Sequence, residues 1–150
     1  MFLTIEDLGG AIYGYQVDQI TEGNDDLVIQ ALLAAEVDAR SYFTPNLNRK
    51  DSGDGRMLYD VDAIFTASGL DRNALIVKHT ATLAKWHLIE LCNAEIIYEA
   101  AKERYDRAVD WFTKLARGTV NVSSLPQLDL TEDTREPFAS GSNPKFNHQY

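Results

Sequence analysis

The sequence predicts an all-α protein: a small helical bundle with a long antiparallel helix pair, an irregular middle loop and an extended C-terminal arm. Three observations carry that expectation. Apolar residues recur at spacings of three and four in three long stretches, beginning near Leu27, Asn73 and Glu95. Capping residues stand before the first two, at Asn24-Asp25-Asp26 and at Asp71. The last two stretches meet at Asn93, and so short a joint brings two helices back antiparallel.

Thr4 opens the first element as a cap, with Asp7 where a capping box wants an acceptor and Leu3 and Leu8 placed as a hydrophobic staple. Gly9-Gly10 keeps this helix short, and Gly14 disrupts the next stretch. The helix after Asn24 presents Val28, Leu32, Ala35, Ala39 and Phe43 as its stripe, and Pro45 ends it. Residues 44–72 form the irregular middle, with turn signals at Asp51, Gly53, Asp54 and Gly55. Within it Met57-Leu58-Tyr59 reads as a short extended piece, and Asp60 as the cap of a brief turn through Phe65. Asp71 is expected to cap a helix to about Asn93, with Ile76, Thr80, Leu83, His87 and Leu91 on one side, widened by Val77, Ala84 and Leu88. The Glu95 helix buries Ile97, Ala101, Tyr105, Ala108, Phe112 and Leu115. It carries acid-before-base pairs at Glu103–Arg107 and Asp110–Lys114 and stops at Gly118. TVNV at 119–122 is β-prone and reads as a short strand.

Composition divides the chain into a helical body, 1–122, and an arm, 123–150, rich in Pro, Ser, Asn and Gly. Leu125, Leu128, Leu130, Phe138, Phe146 and Tyr150 are spaced apolar anchors along this arm. With Asn143 and Pro144 they are the expected partner-binding residues, and docking on another subunit is favoured over packing on the arm's own core.

The 150 residues suit one domain, and a 45% hydrophobic content allows a core. The net charge of −9 is uneven: residues 1–71 hold 13 acids and 4 bases, and residues 72–122 hold 6 acids and 8 bases. An acidic chain argues against sequence-independent grip on nucleic acid. An acid-rich front and a mildly basic back suit head-to-tail contact between copies. Cys92 is the one cysteine, expected as a small buried hydrophobe, so no internal disulfide or multi-cysteine metal site is expected. No apolar run reaches the roughly 18–20 residues of a membrane span. MFLTIEDL lacks the basic region of a signal peptide, so a cytoplasmic setting is the default expectation.

No catalytic centre, cofactor or metal is expected. His79 and His87 lie eight apart, near one face, and Glu90 follows His87 by three. Helix-borne zinc or di-iron sites need histidines one turn apart or paired Glu-x-x-His motifs. Asp51, Asp54, Asp60 and Asp62 fail the EF-hand spacing, since Arg56 stands where glycine is required. A phosphate-binding loop and a nucleophile elbow are both missing.

Several stretches resemble a known family. MFLTIEDL with the Asn24-Asp25-Asp26 entry, Ala84-Lys85-Trp86-His87-Leu88, and Arg104-Tyr105-Asp106-Arg107-Ala108-Val109-Asp110-Trp111 with Leu115-Ala116-Arg117-Gly118 look like small phage morphogenesis proteins of the Mu type, and the closing Gly141-Ser142-Asn143-Pro144-Lys145 resembles phage relatives of Bacteroidetes-type hosts. That family is similar to the head–tail connector, or adaptor, proteins. The resemblance implies a structural virion protein of the neck, assembled in the host cytoplasm. Its copies would form a ring, often a dodecamer among connectors, beneath the portal of a tailed phage. The implied partners are other copies, the portal protein and downstream neck and tail proteins. DNA would pass through the channel unbound, repelled by acids of residues 1–71. Residues 46–70 are longer than the loop of a minimal connector. The alternative readings are a soluble helical adaptor that binds a partner through residues 123–150, and an enzyme using His79, His87 and Glu90.

Overall fold

Helices begin where the sequence supplies caps and end where glycine or a polar turn releases the chain. In the computed structural model the described residues are 1–9, 14–43, 56–92 and 98–128, side chains excepted at 14–16. They form α1 (Ile5–Gly9), α2 (Gly14–Thr21), α3 (Asp25–Ser41), α4 (Val61–Thr66), a 3-10 turn (Gly69–Asp71), α5 (Ala74–Cys92) and α6 (Tyr98–Ala116). The protein is a small all-α bundle, with no strand among the described residues.

Local chemistry sets these boundaries. Thr4 N and Oγ1 both donate to Asp7 Oδ2, at 2.7 and 3.0 Å, closing the capping box of α1. Leu3 and Leu8 are both fully buried. Asn24 Oδ1 accepts from Asp26 N at 3.1 Å to start α3, and Asp60 Oδ1 accepts from Ala63 N at 2.9 Å to start α4. The cap of α5 is Asn73 rather than Asp71. Asn73 Oδ1 accepts from Leu75 N and Ile76 N at 3.0 and 3.3 Å, whereas Asp71 is taken up by the preceding 3-10 turn. Gly118 has φ +75°. Its N–H donates to Leu115 O and that of Thr119 to Lys114 O, the paired bonds that satisfy the last carbonyls of a helix.

α5 is the centre of the bundle. It packs most extensively on α3, then on α6, then on α1. Its expected single stripe is therefore too narrow. Ala81, Lys85, Trp86 and Ile89 are buried as well as Ile76, Leu83, Ala84 and Leu88, while Leu91 is exposed. A helix covered on several sides must be apolar nearly all round. Thr80 Oγ1 is buried there without a hydrogen-bond partner, and nothing among the described residues explains it. α5 and α6 run antiparallel. His79 meets Trp111, and two turns further along α5 Trp86 lies 5.2 Å from Tyr105 and 5.1 Å from Tyr98. Cys92 is half-buried against the edge of this core.

Phe43, just past α3, joins the layers. Its ring meets Tyr59, Phe65 and Phe112 edge-on, at 5.9, 5.7 and 6.3 Å. Of the piece Met57 to Tyr59, Tyr59 forms an isolated antiparallel bridge with Gln127. The 119–122 stretch is not a strand. Its β-branched residues instead lead into a short return, where Val122 N donates to Tyr59 Oη at 2.9 Å.

That return corrects one expected partner-binding residue. Asp60 N donates to Pro126 O and Leu128 N to Leu58 O, both at 2.9 Å. These bonds hold 126–128 along 58–60, and Leu125 drops into the protein's own core, 3% exposed. The backbone pairing beside it holds Leu125 against the body of the protein, where its side chain joins the core. Leu128 is half-buried in the same return. The other expected arm residues, Leu130, Phe138, Asn143, Pro144, Phe146 and Tyr150, lie outside the described residues. So do the expected features at Gly10, at 44–55 including Pro45, and at Asn93 with Ile97.

Candidate functional site

Two surface features stand out. One is a groove of ≈ 560 Å³ between α5 and α6. Val77, Lys78, His79, Ala81, Thr82 and Lys85 come from α5, Arg104, Arg107 and Ala108 from α6, and Asp7 closes one side. In a chain of net charge −9 this is a local concentration of cations.

Lys85 is the unusual member. It is only 7% exposed, and among the described residues it has no hydrogen bond or ion pair. Burial, and secondarily the nearby Arg104 guanidinium, push its ammonium pKa down to about 8. Asp7 does not compensate it, because Arg72 already holds that carboxylate. Arg72 Nη1 lies 2.6 Å from Asp7 Oδ2 and Nη2 lies 3.1 Å from Oδ1. Burial raises the Asp7 pKa, but the Arg72 and Thr4 hydrogen bonds outweigh it, and the net position is below the usual 3.8. Arg107 is occupied by Glu103, the acid-before-base pair expected one turn earlier.

The histidines do not converge. His79 stacks on Trp111 of α6. His87 turns to α3, where its Nε2 lies 3.4 Å from Asp38 Oδ2, close enough for charge but not aligned as a hydrogen bond. Glu90 is exposed. The eight-residue spacing that suggested a shared face sends the two rings to different neighbours. No cluster of three or more His, Cys, Asp or Glu able to hold a metal occurs among the described residues. Asp60 caps α4 and Asp62 pairs with Arg40 at 3.0 Å, so both serve the fold. Asp51 and Asp54 lie outside the described residues.

The second feature is a ridge on α3. Ile29, Leu33 and Val37 are 39%, 48% and 69% exposed, each one turn after the last. The opposite stripe of α3, Val28, Leu32, Ala35 and Ala39, is fully buried as its spacing predicts. Single exposed aliphatics are ordinary, but three in register make a continuous apolar strip of the kind that marks contact surfaces. No helix among the described residues is long and apolar enough to cross a membrane.

Neither feature shows in the apolar stripe that each helix buries, which is the signal a periodicity argument follows. Lys78 with Lys85, seven apart, and Arg104 with Arg107, three apart, carry the groove's signal in the complementary positions. Comparison with known protein families, with curated proteins and with solved structures gives no match to this chain.

Proposed function

We propose that this protein is a structural virion protein, a head–tail connector subunit that assembles through unlike surfaces into a ring below the portal of a tailed phage. The observation that carries the reading is the α3 ridge of Ile29, Leu33 and Val37. An exposed aliphatic strip running over successive turns gains free energy when another surface covers it, about 25 cal/mol for each Å² removed from water. A ring needs a patch on one copy to meet a different patch on the next. The ridge on α3 and the cationic side of α5 and α6 are two such patches of different chemistry. The stretches that resemble connector proteins, 84–88 and 104–118, lie on α5 and on α6 with its glycine stop.

The test is sedimentation velocity of the full chain, alone and mixed with a tailed-phage portal protein. A closed assembly larger than a dimer, or capture by the portal, is expected. Leu33→Asp, at an exposed site, should leave the helical signal intact and yield monomers. Monomers at every concentration with no portal capture, or a Leu33→Asp protein that assembles like the parent, would overturn the reading.

A further inference from the structure

We propose that the groove between α5 and α6 binds a small phosphate ester, with Lys85 and Arg104 meeting the phosphate and Val77, Ala81 and Ala108 meeting the organic part. The inference is independent of ring assembly. It begins from a cost that the fold alone does not offset. Lys85 is 7% exposed and its side chain lines the groove, so its ammonium is largely desolvated there, and it has no hydrogen bond or ion pair among the described residues, a costly setting for a charge. A methionine would fill the same space without that cost.

The surroundings sharpen the point. Lys78, Arg104 and Arg107 line the same hollow, so like charges face one another across it. The one carboxylate on its wall, Asp7, already accepts from Arg72 twice and from Thr4 twice. Arg107 is engaged by Glu103, whereas Arg104 has no ion pair among the described residues. The arrangement lacks an anion, and the donors suit a phosphate. A guanidinium fork meets two phosphate oxygens at once, and an ammonium adds a point charge beside it.

Size and lining select the class. A volume of ≈ 560 Å³ exceeds what one oxyanion fills and falls in the usual range for small-molecule sites of about 300–1,000 Å³. Val77, Ala81 and Ala108 offer apolar wall beyond the charged end. A nucleic-acid strand fits less well, because the whole chain carries −9 and repels an extended polyanion beyond the groove itself.

Isothermal titration of the full chain with ATP, glucose 6-phosphate, inorganic phosphate and a short single-stranded oligonucleotide tests this. At least one of the two esters should bind, about tenfold or more tighter than inorganic phosphate, and more weakly as salt rises. Lys85→Met and Arg104→Met should each weaken that binding about tenfold or more. Arg104 is exposed, so its variant keeps the fold, and circular dichroism checks both. Leu33→Asp should bind as the parent does, which separates this site from the assembly surface. Esters that give no heat at millimolar concentration would overturn the proposal. So would unchanged binding in both variants, or an oligonucleotide that binds more tightly than either ester.

Discussion

His79 lies flat on Trp111, ring centroids 4.2 Å apart and planes 13° from parallel, and this contact ties the start of α5 to the end of α6. Phe112 closes on the same imidazole edge-on at 6.0 Å. Burial, with a smaller contribution from Lys78, lowers the His79 pKa from 6.5 to about 4. The folded protein thus holds the neutral ring, whereas the unfolded chain takes up a proton near pH 6.5. The stability this contact gives is complete above about pH 6.5 and is lost as the pH falls from there towards about 4. At most about 3.5 kcal/mol is at stake, since each pH unit of separation is worth about 1.4 kcal/mol. His79→Phe keeps an aromatic plane on Trp111 without a titrating nitrogen. Urea midpoints measured across that window should fall for the parent and stay flatter for the variant. Equal slopes would refute the assignment.

The Asp7–Arg72 pair locks the N-terminus to the entry of α5. Arg72 also donates to Phe2 O at 3.0 Å and stands 5.9 Å from the Phe2 ring. Both paired side chains are mostly buried, at 13% and 16% exposure, so removing one strands the other. Asp7→Asn should cost about 1–3 kcal/mol. Because the Asp7 pKa sits below 3.8 in the fold, the pair's contribution is present above that value and disappears as the pH drops below it. A double-mutant cycle with Arg72→Met should give a coupling above about 1 kcal/mol near neutral pH, and a coupling near zero would dismiss the pair.

Much of the fold was legible because caps and apolar periods are local signals. Asn24, Asp60 and Thr4 act as their spacing predicts, since each needs only a backbone amide or side chain two or three residues away. The stripe of α3 and the Ala108–Phe112–Leu115 stripe of α6 follow from one-sided burial. What failed was long-range. That Leu125 belongs to the core depends on residues 126–128 pairing with 58–60, which no neighbour in sequence announces. That Lys85 is buried depends on α5 lying between α3 and α6 rather than at an edge. Asn73 displaced Asp71 as a cap because the 3-10 turn used up the intervening residues.

Gly118 is required twice over. Its φ of +75° is strained for any L side chain, and an added Cβ would come 2.5 Å from Arg56 Cγ. Arg56 is held there by its Nη1 donating to Ala116 O at 3.2 Å, which also places a cation at the negative end of α6. Gly118→Ala should therefore cost more than the roughly 1–2 kcal/mol of left-handed backbone strain alone. Arg56→Ala in the same chain should recover the steric part and leave the strain. If thermal melts show the two substitutions simply adding, the close contact is not what makes glycine necessary.

Lys85 gives the opposite expectation, a substitution that stabilises. Its pKa is pushed from 10.5 down to about 8, chiefly by burial and then by Arg104, so the fold disfavours its proton relative to the unfolded chain. Below about pH 8 the folded protein bears the whole cost; between about pH 8 and 10.5 the unfolded chain binds more protons than the fold does, so stability rises with pH across this window. Lys85→Met removes the charge and keeps the volume. At neutral pH it should gain up to about 3 kcal/mol, or roughly 2–4 °C in melting temperature for each kcal/mol. It should also flatten the alkaline rise. A loss of stability with the rise intact would mean that the ammonium already has its compensation within the fold. A gain would show that the parent keeps the lysine at a cost, which the fold does not require and a ligand would explain.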